Sequence, residues 1–344
     1  MTTQKPLLAL TMGDPAGIGP EIVVKAAVDV QVTETARVVV FGSPDVLQHA
    51  ISQFLPLATL KIVTSLVEAK NTEAQANEVI CYAPEGASFS TAKYADISIG
   101  EECAVSGKIA FDCIVAATEA VLSGEADAIV TAPVNKASIN RAGVKGFSGH
   151  TELIAEMCDC TNFSMQQSAE KLHVSFVTTH IPLREVVQNI TKEKVIRNFH
   201  LLYNGLLDEG IEKPKVAFAA INPHAGENGY MGNEDIEITE PAVRQLKAEG
   251  FDVEGPFPPD TLFIADIRTR FDGIVCMYHD QGHIPFKMLA FDVGVNSTLG
   301  LPIIRTSVDH GTAFNLAWQG KANTGSLLEA LKLATLKSFY KKRT

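Results

Sequence analysis

Three histidines of this chain each follow a short apolar run of the kind that forms a buried strand. They are His180 after residues 174–179, His224 after residues 216–223 and His279 after residues 274–278. A single histidine in such a place is usually hydrogen-bonded locally, but the carboxyl ends of parallel strands meet at one edge of a sheet. Imidazoles gathered there can bind a divalent metal, and three protein ligands leave a position open for a substrate. The repetition therefore predicts a catalytic metal site, and the wide separation of the ligands along the chain excludes a local zinc finger.

The third histidine begins a polar segment that runs from His279 to Lys287. Asp280 is placed to orient an imidazole that binds metal, as outer-shell carboxylates do. Lys287 is placed either to reach a phosphate or assist proton transfer, or to lie on the surface of a helix. The sequence leaves these two alternatives for Lys287 open.

Several further residues are of the types that bind anions. His150 and Thr151 open a predicted helix, whose free N–H groups and dipole favour an anion, although Thr151 could instead be the N-cap. Lys136 follows a predicted strand and faces either an anion or solvent. Arg305 ends an apolar run, and arginine suits bidentate binding of a carboxylate or phosphate.

Two loops carry glycine, proline and charge without a recognisable nucleotide-binding pattern. Residues 13–21 form a tight loop into a helix, with Pro20 in its first turn, but they match neither the G-x-G-x-x-G fingerprint nor the Walker A loop. This loop is either a structural turn or an anion-binding loop. Asp309 and His310 are either site residues or a structural cap, and the sequence does not rank these alternatives.

The elements that must position these residues alternate between apolar strands and longer helices. Predicted strands span residues 7–12, 37–41, 126–131, 172–179, 215–221 and 273–278, and predicted helices span 20–28, 107–122, 191–207, 235–249 and 325–340. Such alternation is typical of βαβ units, so the predicted fold class is α/β with a mostly parallel sheet. Ligands of such sheets bind beyond the carboxyl ends of the strands, where the polar residues above lie.

Composition and charge narrow the class of protein further. The 344 residues include 46% hydrophobic and 20% charged residues, which is an ordinary globular composition that allows two domains or one two-lobed unit. The net charge of −11 and the lack of a basic stripe argue against nucleic acid as a partner. The only basic cluster, residues 341–343, is expected to be a solvated tail.

Cysteine usage and hydropathy indicate a cytoplasmic protein. The chain carries six cysteines without a C-x-x-C pair, and they are expected to be reduced, buried thiols: Cys81, Cys103, Cys113, Cys158, Cys160 and Cys276. No apolar run approaches the length of a membrane span. Met1–Pro6 leads directly into the first predicted strand, so no signal peptide is expected.

Six motifs, in order along residues 7–335, resemble those of the 4-hydroxythreonine-4-phosphate dehydrogenase family. They are Met12-Gly-Asp-Pro-Ala-Gly-Ile-Gly-Pro-Glu21, Gly149-His-Thr-Glu152, Asn222-Pro-His-Ala-Gly-Glu227, Pro259-Asp-Thr-Leu-Phe263, Tyr278-His-Asp-Gln-Gly282 and Arg305-Thr-Ser-Val-Asp-His-Gly311. The resemblance implies an isocitrate/isopropylmalate-dehydrogenase-like fold, a single family domain over 1–344 with a cleft between two lobes. The expected lobes are 1–133 with 295–344, and 134–294.

The resemblance also implies the cofactors and the site. It implies NAD or NADP, a divalent metal (Zn, Mg or Co), and a homodimer whose active sites use both chains. It places the metal on His180, His224 and His279, as the positions after the strands do independently. It further implies the substrate contacts His150, Thr151, Lys287, Asn296 and Arg305, with Asp260 near the metal and Lys287 and Asp260 as the catalytic pair.

One departure from the family pattern bears on the substrate. The biosynthetic branch commonly reads His-Asp-Gln-Gly-Leu-Pro, whereas this chain has His283 at the fifth position, and Ser297 replaces the commoner isoleucine. That version resembles the catabolic branch, which oxidises D-threonate or D-erythronate 4-phosphate. The expected reaction is oxidation of a phosphorylated hydroxy acid followed by loss of CO₂. The alternatives are a cis-dihydrodiol dehydrogenase of aromatic catabolism and a non-catalytic metal- or metabolite-binding protein.

Overall fold

The computed structural model of the protein describes residues 5–72 and 75–341. Lys342 and Arg343 of the predicted basic tail, and the first four residues of the N-terminal segment, lie outside the described residues. The chain divides into two compact units, which are unit 1 (Met1–Thr161 with Leu301–Thr344) and unit 2 (Asn162–Gly300).

Twelve strands alternate with helices along the described chain. The strands are β1 (Leu7–Thr11), β2 (Arg37–Phe41), β3 (Thr59–Val63), β4 (Glu78–Tyr82), β5 (Ala128–Thr131), β6 (Ser164–Ala169), β7 (Leu172–Phe176), β8 (Val216–Ala219), β9 (Val253–Phe257), β10 (Gly273–Cys276), β11 (Val295–Leu299) and β12 (Ile304–Val308). The helices are α1 (Gly19–Ala27), α2 (Val30–Thr33), α3 (Pro44–Phe54), α4 (Leu66–Asn71), α5 (Ser88–Thr91), α6 (Ala104–Leu122), α7 (Lys136–Arg141), α8 (His150–Met157), α9 (Leu183–Asn189), α10 (Lys192–Leu207), α11 (Glu240–Ala248), α12 (Pro259–Leu262), α13 (Ala265–Arg268), α14 (His279–Ala290) and α15 (Gly325–Lys341).

Unit 1 contains a fully parallel sheet in the order β3-β4-β2-β1-β5-β12. Its central strands β1 and β5 are buried along their whole length. Strands covered on both faces need continuous apolar sequence. This explains why β1, β2 and β5 were readable from the sequence.

Unit 2 contains a mixed sheet in the order β11-β6-β7-β10-β8-β9. Strands β7, β10, β8 and β9 are parallel, while β6 is antiparallel to both β7 and β11. Helices α10 and α11 cover one apolar cluster of this unit, which includes Phe199, Leu202, Phe218 and Leu246. The parallel strands carry His180, His224 and His279 just beyond their carboxyl ends.

The predicted α/β class and mostly parallel sheet are confirmed, and all six predicted strands are present, β2 with the predicted bounds and the other five with shorter ones. Six further strands were not predicted, among them β6 (Ser-Met-Gln-Gln-Ser-Ala) and β11 (Val-Asn-Ser-Thr-Leu). These two strands bury polar side chains, such as Gln166 and Gln167 at 0% exposure, so they lack the apolar pattern that reveals a strand. The predicted helix 235–249 is a π-helical turn at Asp235–Thr239 followed by α11.

The bounds of the compact units differ from those of the expected lobes at residues 134–161 and 295–300. Helix α7 lies in unit 1 because it packs closely against α6. A Cβ on Gly107 would come 2.2 Å from the backbone of Ser138, so the contact requires glycine. Sequence periodicity does not report such a contact between helices.

None of the six cysteines forms a disulfide, and of the six only Cys81, Cys113 and Cys276 are buried. The expectation of burial is wrong for Cys103, Cys158 and Cys160, which are half-buried. Cys103 and Cys158 are the capping residues that flank α6 and α8, where a helix end is open to solvent on one side.

Within the described ranges, every helix is too short or too polar to cross a lipid bilayer.

Candidate functional site

The histidines His180 and His279 of unit 2 lie close together. Their ring centroids are 5.8 Å apart with an interplanar angle of 45°. The approach is fixed by the preceding residues, because Thr178 donates to the carbonyl of Met277 from both its backbone N–H (3.2 Å) and its hydroxyl (2.8 Å). These two side chains therefore follow neighbouring strands and meet, as their positions in the sequence led us to expect.

Gln281 fastens the end of β8 to the end of β10. Its buried side chain donates to the carbonyl of Ala220 at 2.7 Å and accepts from the backbone N–H of Met277 at 2.7 Å. An amide side chain can do both at once, because it carries a donor and an acceptor. In the sequence Gln281 stands out only as part of a motif, and its position early in a helix after His279 gave no sign of this role.

The loop that carries His224 has an unusual backbone. Residues His224 to Asn228 all have positive φ, between 43° and 77°, a left-handed conformation that costs about 1–2 kcal/mol for each non-glycine residue. Asp235 compensates by accepting from the backbone N–H groups of Ile221 (2.8 Å) and Asn222 (2.9 Å). Strained backbone of this kind is concentrated at functional sites. Asp235 was not predicted as a site residue, since its only signal is a carboxylate that follows a glycine-rich loop.

Two of the three predicted metal ligands, His180 and His279, lie close together within the described residues. Among residues 5–72 and 75–341, no group of three or more His, Cys, Asp or Glu side chains is arranged to hold a metal ion. Two imidazoles that bind one cation through nitrogens about 2 Å from it have centroids roughly 4.5–6 Å apart. The 5.8 Å between His180 and His279 meets that requirement, whereas His224 is exposed and belongs to no such group. The three-histidine set stays a prediction.

Asp280 orients the ring of His279. One carboxylate oxygen lies 2.6 Å from Nδ1 of His279, so that nitrogen carries the proton and donates. The opposite nitrogen, Nε2, is then the one with a lone pair for a cation. This is the arrangement that the sequence predicted for Asp280.

The other predicted site residues of unit 2 lie on separate elements. Lys287 is half-buried on α14, two turns after His279. Asp260 is exposed in the first turn of α12. Asn296 is half-buried on β11, where its register partner is Gln167 on β6.

Unit 1 brings Arg305, Thr151 and Thr131 together. Arg305 is 4% exposed, and its guanidinium donates to the hydroxyl of Thr131 at 3.0 Å and to that of Thr151 at 3.4 Å. Helix α8 begins at His150 with Gly149 as its cap, so the N-cap alternative for Thr151 is wrong. Burial lowers the pKa of Arg305 to about 10, which still leaves a full positive charge at neutral pH.

His150 lies in the same cluster as a neutral imidazole. Burial, followed by the positive charges of Arg305 and Lys136, lowers its pKa to about 3. Lys136 is exposed, but its effect on His150 shows that it lies close enough to add positive potential. A neutral imidazole beside two cations is suited to an anionic ligand, since none of the three groups repels it.

A cavity of about 100 Å³ opens beside this cluster, between the ends of β5 and β12. Its wall includes Thr131, His150, Ser307 and His310. The Nε2 atoms of His150 and His310 are buried, with no hydrogen-bond partner among the described residues. The structure therefore favours a site position for His310 over a structural cap.

The packing of the loop at residues 13–21 favours the structural-turn alternative. A Cβ on Gly19 would come 2.5 Å from the carbonyl oxygen of Met12, so the chain is too closely packed there for a larger residue. Glu21 is 1% exposed and accepts from the backbone N–H groups of Gly320 and Ala322. Its carboxylate fastens α1 to the segment before α15 instead of facing a ligand.

We expect acid to destabilise the protein partly through His150. The ordinary pKa of a histidine is 6.5 and that of His150 in the folded protein is about 3, so the unfolded chain binds a proton that the folded chain excludes. The free energy of unfolding should therefore fall as the pH drops from 6.5 towards 3. In His150→Gln this contribution is absent, and urea midpoints should fall less between about pH 7 and about pH 4.5 than in the wild type. Equal falls in both proteins would contradict the assignment.

Comparison with known proteins gives full-length relatives. Residues 34–334 match the family described as pyridoxal phosphate biosynthetic protein PdxA. A 4-hydroxythreonine-4-phosphate dehydrogenase from Desulforapulum autotrophicum is 41% identical, covering 98% of this chain and 97% of the relative. A D-threonate 4-phosphate dehydrogenase from Pectobacterium atrosepticum is 40% identical, covering 95% of this chain and 98% of the relative. These relatives are nearly equal in identity although their named substrates differ.

Solved structures are similar over the same length. The crystal structure of a 4-hydroxythreonine-4-phosphate dehydrogenase from Klebsiella pneumoniae has a TM-score of 0.84 and 39% identity, covering 98% of this chain and 99% of that one. A terephthalate 1,2-cis-dihydrodiol dehydrogenase from Burkholderia xenovorans has a TM-score of 0.66 and 30% identity, covering 96% and 98%. The similarity is greater to the phosphate-substrate enzyme than to the dihydrodiol enzyme.

Proposed function

The chain belongs to the PdxA family and is a dehydrogenase that acts on the CH–OH group of a 4-phosphorylated hydroxy acid; we propose that the substrate is D-threonate or D-erythronate 4-phosphate. The observation that carries this choice is His283, which occupies the position of the biosynthetic branch's leucine and is 6% exposed beside His279. A difference from the biosynthetic branch at a residue beside a candidate metal ligand affects the reaction more directly than a difference at the protein surface would.

The positive cluster of unit 1 supports an anionic substrate. Arg305, with its planar fork of donors, would bind a carboxylate or phosphate, and Thr151 and neutral His150 would add hydrogen bonds. Lys287 and Asn296 of unit 2 are the further proposed contacts. The cations Arg305 and Lys136 would also disfavour the ammonium group of 4-hydroxythreonine 4-phosphate, which the sugar acids lack.

The proposed metal ligands are His180, His224 and His279. The 5.8 Å spacing of two rings and the Asp280 contact at Nδ1 support the first and third of them. A bound divalent cation (Zn, Mg or Co) would supply Lewis acidity at the hydroxyl and at the resulting ketone.

The chemistry of the chain's own residues is proton transfer and orientation. NAD or NADP would accept the hydride, and this chain would bind that cofactor without a Rossmann fingerprint. Lys287 would hold the proton of the reacting hydroxyl, with Asp260 or water completing its transfer. Arg305, His150 and Thr151 would hold the anionic end still, which supplies much of the orientation that oxidation needs. The β-keto acid so formed would lose CO₂.

A homodimer with shared active sites is part of the proposal. Large exposed apolar side chains follow each of the three histidines along the chain, namely Leu183 and Val187, Tyr230, Met231 and Ile236, and Ile284, Met288, Leu289 and Phe291. Exposed apolar surface on this scale is typical of an interface. A second copy of the chain would cover it, and a purely monomeric mass in sedimentation at micromolar concentration would contradict this.

The substrate is tested by NAD(P) reduction with a divalent cation present. We expect kcat/KM to be higher with D-threonate or D-erythronate 4-phosphate than with 4-hydroxy-L-threonine 4-phosphate. A preference for the hydroxythreonine phosphate would contradict the choice of branch. Turnover of a cis-dihydrodiol, with none of any phosphorylated acid, would support the function of the 30% identical relative instead.

A further inference from the structure

His283 forms a stack of three rings with His279 and Phe176, which we call the imidazole stack. The ring of His283 is nearly parallel to that of His279, with an interplanar angle of 10° and centroids 3.9 Å apart. On Phe176 it lies at 4.2 Å and 23°. The two histidines are one turn apart on α14, where side chains at i and i+4 share a face.

Both ring nitrogens of His283 face hydrogen-bonding groups. Nδ1 is 3.1 Å from the carbonyl oxygen of His279, so Nδ1 carries the proton and donates. Nε2 is 3.4 Å from the side-chain Nε2 of Gln167, which can donate only to an unprotonated ring nitrogen. Both ring nitrogens of His283 therefore have a polar neighbour within 3.4 Å.

Gly282 allows the backbone of α14 to approach β7 and β10 closely enough for the three rings to stack. A Cβ there would come 2.7 Å from Cε1 of Phe176 and 2.9 Å from Sγ of Cys276. The glycine therefore lets α14 lie directly against β7 and β10. The rings of His283 and Phe176 meet because of that close approach.

The stack restrains His279 in a direction that Asp280 does not. Asp280 binds the edge of the His279 ring at Nδ1, which leaves rotation about that contact possible. A flat ring at 3.9 Å on one face restricts this rotation. A leucine at position 283 could fill the volume, but a branched aliphatic group does not define a plane.

We propose that His283 is a positioning residue whose stacked ring holds the His279 imidazole in the orientation that binds the divalent cation. The inference rests on the metal assignment of the proposed function. It differs from that assignment because His283 acts through His279 and is not itself a ligand. It predicts that the shape of the ring at position 283, and not its nitrogens, determines the effect.

The orientation of His279 is tested without metal, by NMR of the protein labelled with ¹³C at histidine Cε1. A proton over the face of an aromatic ring is shifted upfield. We expect the His279 signal to be upfield in the wild type and in His283→Phe, and to move towards the value of free histidine in His283→Leu. The same His279 shift in His283→Leu and wild type would overturn the proposal.

Cobalt(II) affinity, measured against a chromogenic chelator, tests whether the orientation of the His279 ring affects metal binding. Loss of an outer-shell partner weakens metal binding about 10–100-fold, and we expect that range for His283→Leu but a smaller loss for His283→Phe. Equal losses in both variants, or no loss in His283→Leu, would overturn the proposal. His283→Met replaces the leucine variant if circular dichroism shows that the latter does not fold.

A matched control is His49→Leu, which removes a histidine that stacks on Tyr94 at 4.5 Å and 13° in unit 1. It should leave cobalt affinity unchanged. Absence of cobalt binding in the wild type would overturn the metal assignment of the proposed function, and the NMR result would still decide whether His283 orients His279.

Discussion

Exchange of His224 for alanine is expected to lower kcat/KM by about two orders of magnitude or more and to reduce the bound divalent metal. Loss of an outer-shell partner alone typically costs about 10–100-fold, so loss of a ligand should cost at least the upper end of that range. The side chain is exposed, so alanine removes little packing and the fold should persist. Metal content by mass spectrometry and turnover by NAD(P) reduction measure the two effects.

A second variant distinguishes a metal-binding role of His224 from a purely structural role in a strained loop. His224→Asn retains a polar side chain that tolerates the left-handed conformation. If the imidazole is a ligand, this variant should lose metal as the alanine variant does. Unchanged metal content in His224→Ala would contradict the three-histidine assignment, whatever happened to the rate. His49→Ala, an exposed histidine of unit 1, is the control for loss of any imidazole.

Exchange of Arg305 for methionine is expected to lower kcat/KM on the phosphorylated substrate by about two to three orders of magnitude, chiefly through KM. Truncating one partner of a buried, hydrogen-bonded charge pair costs about 2–5 kcal/mol, and each 1.4 kcal/mol is a factor of ten. Arg305 is 4% exposed, so water replaces little of the lost interaction. Steady-state kinetics with the separate values of kcat and KM test this.

Stability distinguishes an anion-binding role of Arg305 from a structural one. Burying the Arg305 charge costs desolvation free energy, and its printed hydrogen-bond partners are the neutral hydroxyls of Thr131 and Thr151, so Arg305→Met should keep or raise the melting temperature. Arg305→Lys retains the charge but loses the planar fork, and it should recover only part of the affinity. Wild-type KM in Arg305→Met would refute the proposed contact, and a lowered melting temperature with that KM would assign Arg305 to the fold.

The sequence alone determined the elements whose pattern is local. Strands β1, β5 and β10 are covered on both faces, so their continuous apolar runs identified them, and the residues after the runs of β7 and β10 gave His180 and His279. Arg305 was found from its residue type at the end of an apolar run, although it lies inside β12, a strand that was not predicted. Helix α6 was equally readable from its period. These predictions succeed because burial leaves a pattern in the local sequence. A strand covered on both faces needs a continuous apolar run, and a helix with one buried face needs apolar residues at the helical period.

Only the tertiary structure decided what depends on partners distant in sequence. Strands β6 and β11 bury polar residues, so no local pattern marked them, yet β6 brings Gln167 to His283. The pKa of His150 near 3 follows from burial and from Arg305, which lies far along the chain. The closeness of His180 and His279, the absence of His224 from their group within the described residues and the ring plane at position 283 are likewise set by packing. Desolvation and ring contacts depend on which surfaces meet, and the order of residues alone does not contain that information.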